Sequence, residues 1–109
     1  VQGNGKGGLG VRRAAKVDAN HVPLLRLMRQ IGAYVYDTSR VGGGFPDALV
    51  FWRGRAIPVE IKDGSKPPSA RKLTEAQEVL HARWASAGWP VVVVETEADV
   101  FRLLGVMAA

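Results

Sequence analysis

The residues best equipped for chemistry sit in one short stretch. Ala56-Ile57-Pro58-Val59-Glu60-Ile61-Lys62 reads as a strand, and strand side chains alternate between faces. Ile57, Val59 and Ile61 share the core-facing side, so Pro58, Glu60 and Lys62 share the other. At about 3.3 Å per residue, Glu60 and Lys62 stand roughly 6.6 Å apart along the backbone and project side by side. Upstream, Asp47 opens an apolar strand (DALVFW), and Arg53-Gly54 forms a tight turn between the two strands. Pairing about that turn sets opposite each other positions whose numbers sum to about 107, which places Glu60 across from Asp47. Two carboxylates this close repel unless a cation joins them. Hard divalent ions such as Mg²⁺ or Mn²⁺ bind carboxylate and water oxygens in this way. A neighbouring lysine can then orient or deprotonate a water and stabilise charge developing on a phosphate. The competing reading is a solvated strand face, with Asp47 after Pro46 as an ordinary strand-start residue. Chance would have to supply Asp at the strand start, Glu and Lys in phase and a turn of the right length, so the cluster is the stronger reading.

The elements that must hold these groups follow from periodicity and punctuation. A first helix is expected from residue 18 or 20 to residue 31, with Leu24, Leu27, Met28 and Ile31 on one face, Asn20 as N-cap and Gly32 as terminator. A short strand over residues 33–37 precedes a loop holding Gly42, Gly43 and Gly44. Strands over 47–52 and 56–62 form the hairpin. After a Gly/Ser/Lys/Pro loop, Thr74 and Gln77 match the capping box of a second helix, with Leu80, Trp84 and Ala87 as its buried stripe. Residues 90–95 (PVVVVE) read as a strand buried on both faces, and residues 99–104 as a last short helix. The order α-β-β-β-α-β-α predicts an antiparallel meander and a fourth strand parallel to the third. The result is an α/β fold with a mixed four-stranded sheet and helices on both faces.

At 109 residues there is room for one domain, expected over residues 13–109 behind a Gly-rich basic tail at 1–12. The tail's Gly3, Gly5 and Gly8 spell G-x-G-x-x-G, but no strand precedes them, and Lys6 is followed by Gly7, so no nucleotide cofactor is expected. Cysteine is absent, which excludes disulfides, thiolate zinc sites and a cysteine nucleophile. His21 and His81 are too far apart for an HExxH site. No apolar run approaches the ~18 residues of a membrane span, and no signal-peptide core is visible, so a cytoplasmic setting is expected. Fifteen Lys+Arg against ten Asp+Glu give a net charge of +5, suited to an acidic polymer or simply to solubility.

Pro46-Asp47 followed by Glu60-Ile61-Lys62 resembles the PD-(D/E)xK nuclease signature, and the α-β-β-β-α-β order is the core of that restriction-endonuclease-like superfamily. GGGFPDALVF, VEIKDG, KPPSARKLTEAQ and PVVVVETEADV are similar to the VRR-NUC and Holliday-junction-resolvase-like branch, over roughly residues 13–105. The resemblance implies an Mg²⁺- or Mn²⁺-dependent endonuclease acting on DNA, in which Asp47, Glu60 and the Ile61 carbonyl hold the metal and Lys62 positions the attacking water. Branched DNA in replication, recombination or repair, in a bacterial or phage-infected cell, is the expected substrate. A homodimer is expected if junctions are cut, because that needs two matched incisions.

Family members often carry a further acid on the first helix. Here only Asp18 is available, and an extra N-cap is an equally good reading of it. Gln77 resembles a helix glutamine near the site in some members, and the capping box is its alternative role. Arg40, Lys66, Arg71 and Lys72 are expected phosphate contacts, with Gly43 and Gly44 allowing close backbone approach; each has a plain surface or loop reading. Trp52, Trp84 and Trp89 read as core or interface, and His81 as an ordinary helix-face residue. Two other functions fit the same fold: a non-catalytic DNA-binding module, and a restriction-type nuclease reading a short sequence.

Overall fold

The computed structural model describes residues 17–107; the expected tail at residues 1–12 lies outside them. Helix α1 (His21–Ile31) is followed by strands β1 (Tyr34–Asp37), β2 (Ala48–Trp52) and β3 (Arg55–Ile61). A 3₁₀ turn (Pro68–Ala70), which the sequence reading did not anticipate, precedes α2 (Glu75–Ser86), β4 (Val92–Val94) and α3 (Glu97–Leu104). The sheet runs β1-β2-β3-β4, with the first two pairings antiparallel and β3–β4 parallel. This is the mixed four-stranded sheet expected from the sequence. Among the described residues, no helix is long and apolar enough to cross a membrane.

The hairpin fixes the register of the site. Arg53 (φ 48°) and Gly54 (φ 79°) both take positive φ, as a two-residue hairpin turn with matching twist demands. Leu49 then pairs with Pro58 and Ala48 with Val59, which brings Asp47 level with Glu60, as the turn predicts. One sheet face is closed by α1 and α3: Val35, Val50, Ile57, Val59, Ile61 and Val94 pack against Leu24, Leu25, Met28, Val100 and Leu104. Trp52 crosses to this side and donates from Nε1 to the Leu104 carbonyl at 2.8 Å.

The other face carries α2. Thr74 caps it as expected: its hydroxyl accepts from the Gln77 backbone N–H, and the Gln77 side chain accepts from the Thr74 backbone N–H. The expected buried stripe is absent, however. Leu80 and Trp84 are only half-buried and Ala87 is exposed, because α2 sits over one end of the sheet rather than along it.

Strand β4 also departs from expectation. It is an edge strand, with Val93 41% exposed, whereas all five residues from Ile57 to Ile61 in β3 are buried. The strand covered on both faces is therefore the one carrying Pro58 and Glu60, since a strand's place in the order, not its run of valines, decides what covers it. Helix α3 starts earlier than expected, because Thr96 and Asp99 form a second reciprocal capping box. Asn20 occupies the N-cap position of α1 without a side-chain cap. Its amide instead donates to the carbonyls of Lys62 (2.9 Å) and Glu95 (3.0 Å), pinning the diverging ends of β3 and β4 to the start of α1.

Candidate active site

Asp47 and Glu60 enter the site from adjacent strands, and Lys62 follows directly after β3. The Asp47 carboxylate accepts the Ile61 backbone N–H through Oδ2 at 2.8 Å, which locks the acid to the strand carrying its partners. Thr38 fastens the approach to Asp47 from the other side: its backbone N–H donates to the Asp47 carbonyl (2.8 Å) and its hydroxyl to the Pro46 carbonyl (2.7 Å). Lys62 keeps β3 in register one residue further, donating its backbone N–H to the Val94 carbonyl at 3.1 Å.

Gln77 ties the two charged groups together. Its Oε1 accepts from the Lys62 Nζ (3.0 Å) and from the Thr74 backbone N–H (2.9 Å), while its Nε2 donates to Glu60 Oε2 (2.8 Å). The two roles open to Gln77 in the sequence, helix cap and site residue, are filled by the same side chain at once. The capping box fixes the side chain, and the fixed amide presents its oxygen to the Lys62 ammonium and its nitrogen to the Glu60 carboxyl.

Glu60 is 2% exposed. Burial and the neighbouring Asp47 carboxylate push its carboxyl up to about 8, against the opposing pull of the Lys62 cation. Its second oxygen, Oε1, lies 3.5 Å from His81 Nε2, and both atoms are buried without a hydrogen-bond partner among the described residues. Burial and the nearby Lys62 charge lower the His81 pKa, so the ring faces Glu60 as neutral imidazole at neutral pH. The sequence reading of His81 as an ordinary helix-face residue is thus corrected. It stands one helical turn after Gln77, and that i, i+4 spacing was the available signal.

The donor set fits a hard divalent cation. Two carboxylates and the Ile61 carbonyl are oxygen ligands of the kind Mg²⁺ and Mn²⁺ prefer, and a buried carboxylate oxygen without a partner is the atom such an ion would satisfy. Among the described residues, no group of three or more His, Cys, Asp or Glu side chains forms a metal-binding cluster, so the backbone carbonyl is needed to complete the set.

The remaining candidates are placed unevenly. Asp18 neither caps α1 nor enters the donor set; it pairs with Lys66 Nζ at 3.1 Å, near enough for its charge to be felt at Glu60. Arg71 pairs with Glu95 (3.2 Å) and donates from Nε to the Lys66 carbonyl (2.8 Å), which braces the loop after Lys62. Arg40 and Lys72 are exposed. Gly43 has open space beside it, but a Cβ on Gly44 would lie 2.5 Å from the Ala76 carbonyl oxygen, so that glycine serves the packing of the loop on α2. Of the tryptophans, Trp84 meets Phe45 edge-on with ring centroids 5.1 Å apart, and Trp89 is exposed.

The fold has a counterpart among solved structures. A chain named VRR_NUC domain superposes with a TM-score of 0.61 at 26% sequence identity, covering 81% of this chain and 97% of that one. No family model matches the sequence, and no curated protein matches it. The likeness in fold, together with two acids, a lysine and a glutamine gathered at one end of the sheet, supports a nuclease-type domain.

Proposed function

We propose that this protein is an Mg²⁺- or Mn²⁺-dependent DNA endonuclease acting on branched DNA, with Asp47, Glu60 and the Ile61 carbonyl as metal ligands and Lys62 as the catalytic cation. The observation that carries the proposal is Gln77, which holds Glu60 at 2.8 Å and Lys62 at 3.0 Å from opposite ends of one amide. A strand face kept only for solubility has no reason to bury a carboxylate and tether it to its neighbouring lysine.

A bound divalent ion supplies Lewis-acid polarisation of the phosphoryl oxygen and a more acidic water. Asp47, anchored through Oδ2 by the Ile61 N–H, would be one of the residues holding the ion. Glu60, which burial holds as the neutral acid, would serve as a ligand only in its ionised form. Lys62 has donor capacity beyond its bond to Gln77, enough to orient a water or meet the negative charge that grows on the phosphate. Arg40 and Lys72 are exposed, and in this reading they would hold the phosphate backbone without reading sequence.

The test compares linear duplex, flap and four-way junction DNA in Mg²⁺, Mn²⁺ or EDTA, with wild type beside Lys62→Ala and Asp47→Asn. Metal-dependent cutting lost in both variants supports the proposal, and a preference for branched substrates supports its finer part. Binding that persists with no cutting under any metal makes the domain a binding module instead. Affinity should also fall steeply as salt rises if phosphate contacts dominate.

A further inference from the structure

Beyond the cleavage residues, the α2 side of the sheet continues as a ladder of side chains. The strand register sets three rows across it: Tyr34 with Phe51, then Tyr36 with Leu49 and Pro58, then the level of Asp47 and Glu60. Val35, between the two tyrosines, is buried in the core, so Tyr34 and Tyr36 share the face that carries the candidate site. Helix α2 does not cover the aromatic rows: Tyr34 is 74% exposed, Tyr36 61% and Phe51 40%. Tyr36 meets Phe51 edge-to-face with ring centroids 5.7 Å apart, so its ring is held in place although most of it is open. Asp37, next along β1, turns to the other side and bonds His21, so no carboxylate of β1 interrupts the tyrosines.

Basic side chains follow the outer edge of the same strand. β1 ends the sheet, and Arg29 donates from Nη2 to the Val35 carbonyl at 3.0 Å, level with the gap between the two tyrosines. Arg26 stands one helical turn earlier on α1, and Arg40 follows β1 on the side of the candidate site. All three arginines are exposed, and among the described residues no carboxylate pairs with them.

We infer that this face is a subsite for an unpaired DNA strand, with bases stacked on Tyr36 and Tyr34 and phosphates held along Arg29 and Arg40. Charge selects that occupant first. Open aromatic rings beside a row of cations suit a single strand, whose bases stack while its backbone is neutralised, whereas an apolar protein surface would leave the arginines without counter-charge. The pitch selects it again. Rows two residues apart lie about 6.8 Å apart along the strand, twice the ~3.4 Å rise of one strand of a duplex. Consecutive bases can therefore meet consecutive tyrosines only when they are unstacked from each other. The third argument is continuity: the next row on this face holds Asp47 and Glu60, so a strand lying on the tyrosines leads to the proposed cleavage site. That link rests on the nuclease reading; the stacking itself does not.

The test is fluorescence anisotropy of a labelled oligothymidine of about 12 nucleotides, titrated with the full chain in EDTA so that neither metal nor cleavage enters. Tyr34→Ala and Tyr36→Ala should each weaken binding by roughly 10-fold or more, as loss of a stacking ring does, and Tyr36→Phe should bind like wild type. A blunt duplex of the same length should bind wild type and Tyr36→Ala alike. Arg29→Ala should lower the slope of log affinity against log salt by about 0.7, the loss of one phosphate contact on a single strand. Both tyrosines are largely exposed, so circular dichroism should show their variants folded. Tyrosine-dependent oligothymidine binding with no cleavage of any DNA in Mg²⁺ or Mn²⁺ overturns the nuclease reading alone. Wild type that binds oligothymidine no tighter than about 100 μM, the weak end of non-specific binding, overturns the inference. So do tyrosine variants that bind it like wild type, or that lose duplex binding equally. An oligomer that the tyrosine variants dissociate with no loss of oligothymidine binding also overturns it and gives the face to a second copy.

Discussion

The two faces of the sheet solve different problems. Under α1 and α3, apolar side chains close over one another, and the polar group buried there, the His21 ring, donates from Nε2 to Asp37 at 3.0 Å while its Nδ1 has no partner among the described residues. Under α2 the buried group is a carboxyl: Glu60 is 2% exposed, its Oε1 has no hydrogen-bond partner among the described residues, and its pKa is raised. Hydrophobic burial dominates the first face. The second is a cap-anchored helix set down on a polar cluster, with exposed aromatic surface beside it. Stability is concentrated where no chemistry is proposed, and instability is tolerated where a cation would relieve it.

The contrast is tested most severely by pairing one substitution from each face. Lys62→Ala should lower metal-dependent cleavage by about 10³-fold, the usual effect of removing a group that meets transition-state charge, while leaving the melting temperature nearly unchanged. Leu25→Ala, on the closed face, should cost about 2–5 kcal/mol of stability through a core cavity. Under conditions where it stays folded, it should retain wild-type cleavage per folded molecule. If Lys62→Ala unfolds the chain, or Leu25→Ala abolishes cleavage in the folded fraction, the two faces do not divide their labour as described.

A third substitution probes the stored instability. Glu60 ionises near 4.5 when unfolded and near 8 when folded, so between those values the folded state holds a proton that the unfolded state has lost. Metal-free stability must therefore fall as pH rises from about 4.5 to 8. Glu60→Gln removes that loss, and in EDTA at neutral pH it should raise unfolding free energy by about 2 kcal/mol, with no gain at pH 4. Adding Mn²⁺ should reverse the order, stabilising wild type and not the variant. Denaturant melts at three pH values, with and without metal, read both effects.

Much of this division was legible in the chain. The Arg53-Gly54 turn dictates the hairpin register, and the register alone brings Asp47 to Glu60. The Thr74–Gln77 spacing dictates where α2 begins, and so where Gln77 points. Local rules suffice for both. The misread parts depend on what packs over an element. Four consecutive valines suggest a central strand, but chain order puts β4 at the edge, while Pro58 and Glu60 suggest an open face that α2 covers. The i, i+4 spacing from Gln77 puts His81 on the same helix face, but only the docking of α2 shows that this face meets Glu60. The fork of Asn20 across two strand ends joins residues 42 and 75 positions apart, beyond any local pattern.

The smallest expected effect has the opposite sign in pH to that of Glu60. Asp37 is partly desolvated, which by itself would raise its pKa. Hydrogen bonds from the Ser39 hydroxyl and backbone N–H, with the His21 ring, more than offset this and hold it at about 2. A carboxylate depressed from 3.8 to about 2 adds stability that is complete above pH 4 and lost as pH falls toward 2. Its side chain is 44% exposed, so solvent screens much of the effect, and Asp37→Asn should cost only about 1 kcal/mol at pH 7. That cost should shrink below pH 4, where wild type loses the same charge. Wild-type stability attributable to Glu60 falls with rising pH and that attributable to Asp37 falls with declining pH. A double variant should therefore show a flatter profile than either single one, provided the closed and open faces are energetically separate. Strong non-additivity would mean that the charge at the end of β1 is felt at Glu60, and that the two faces share one electrostatic network rather than two.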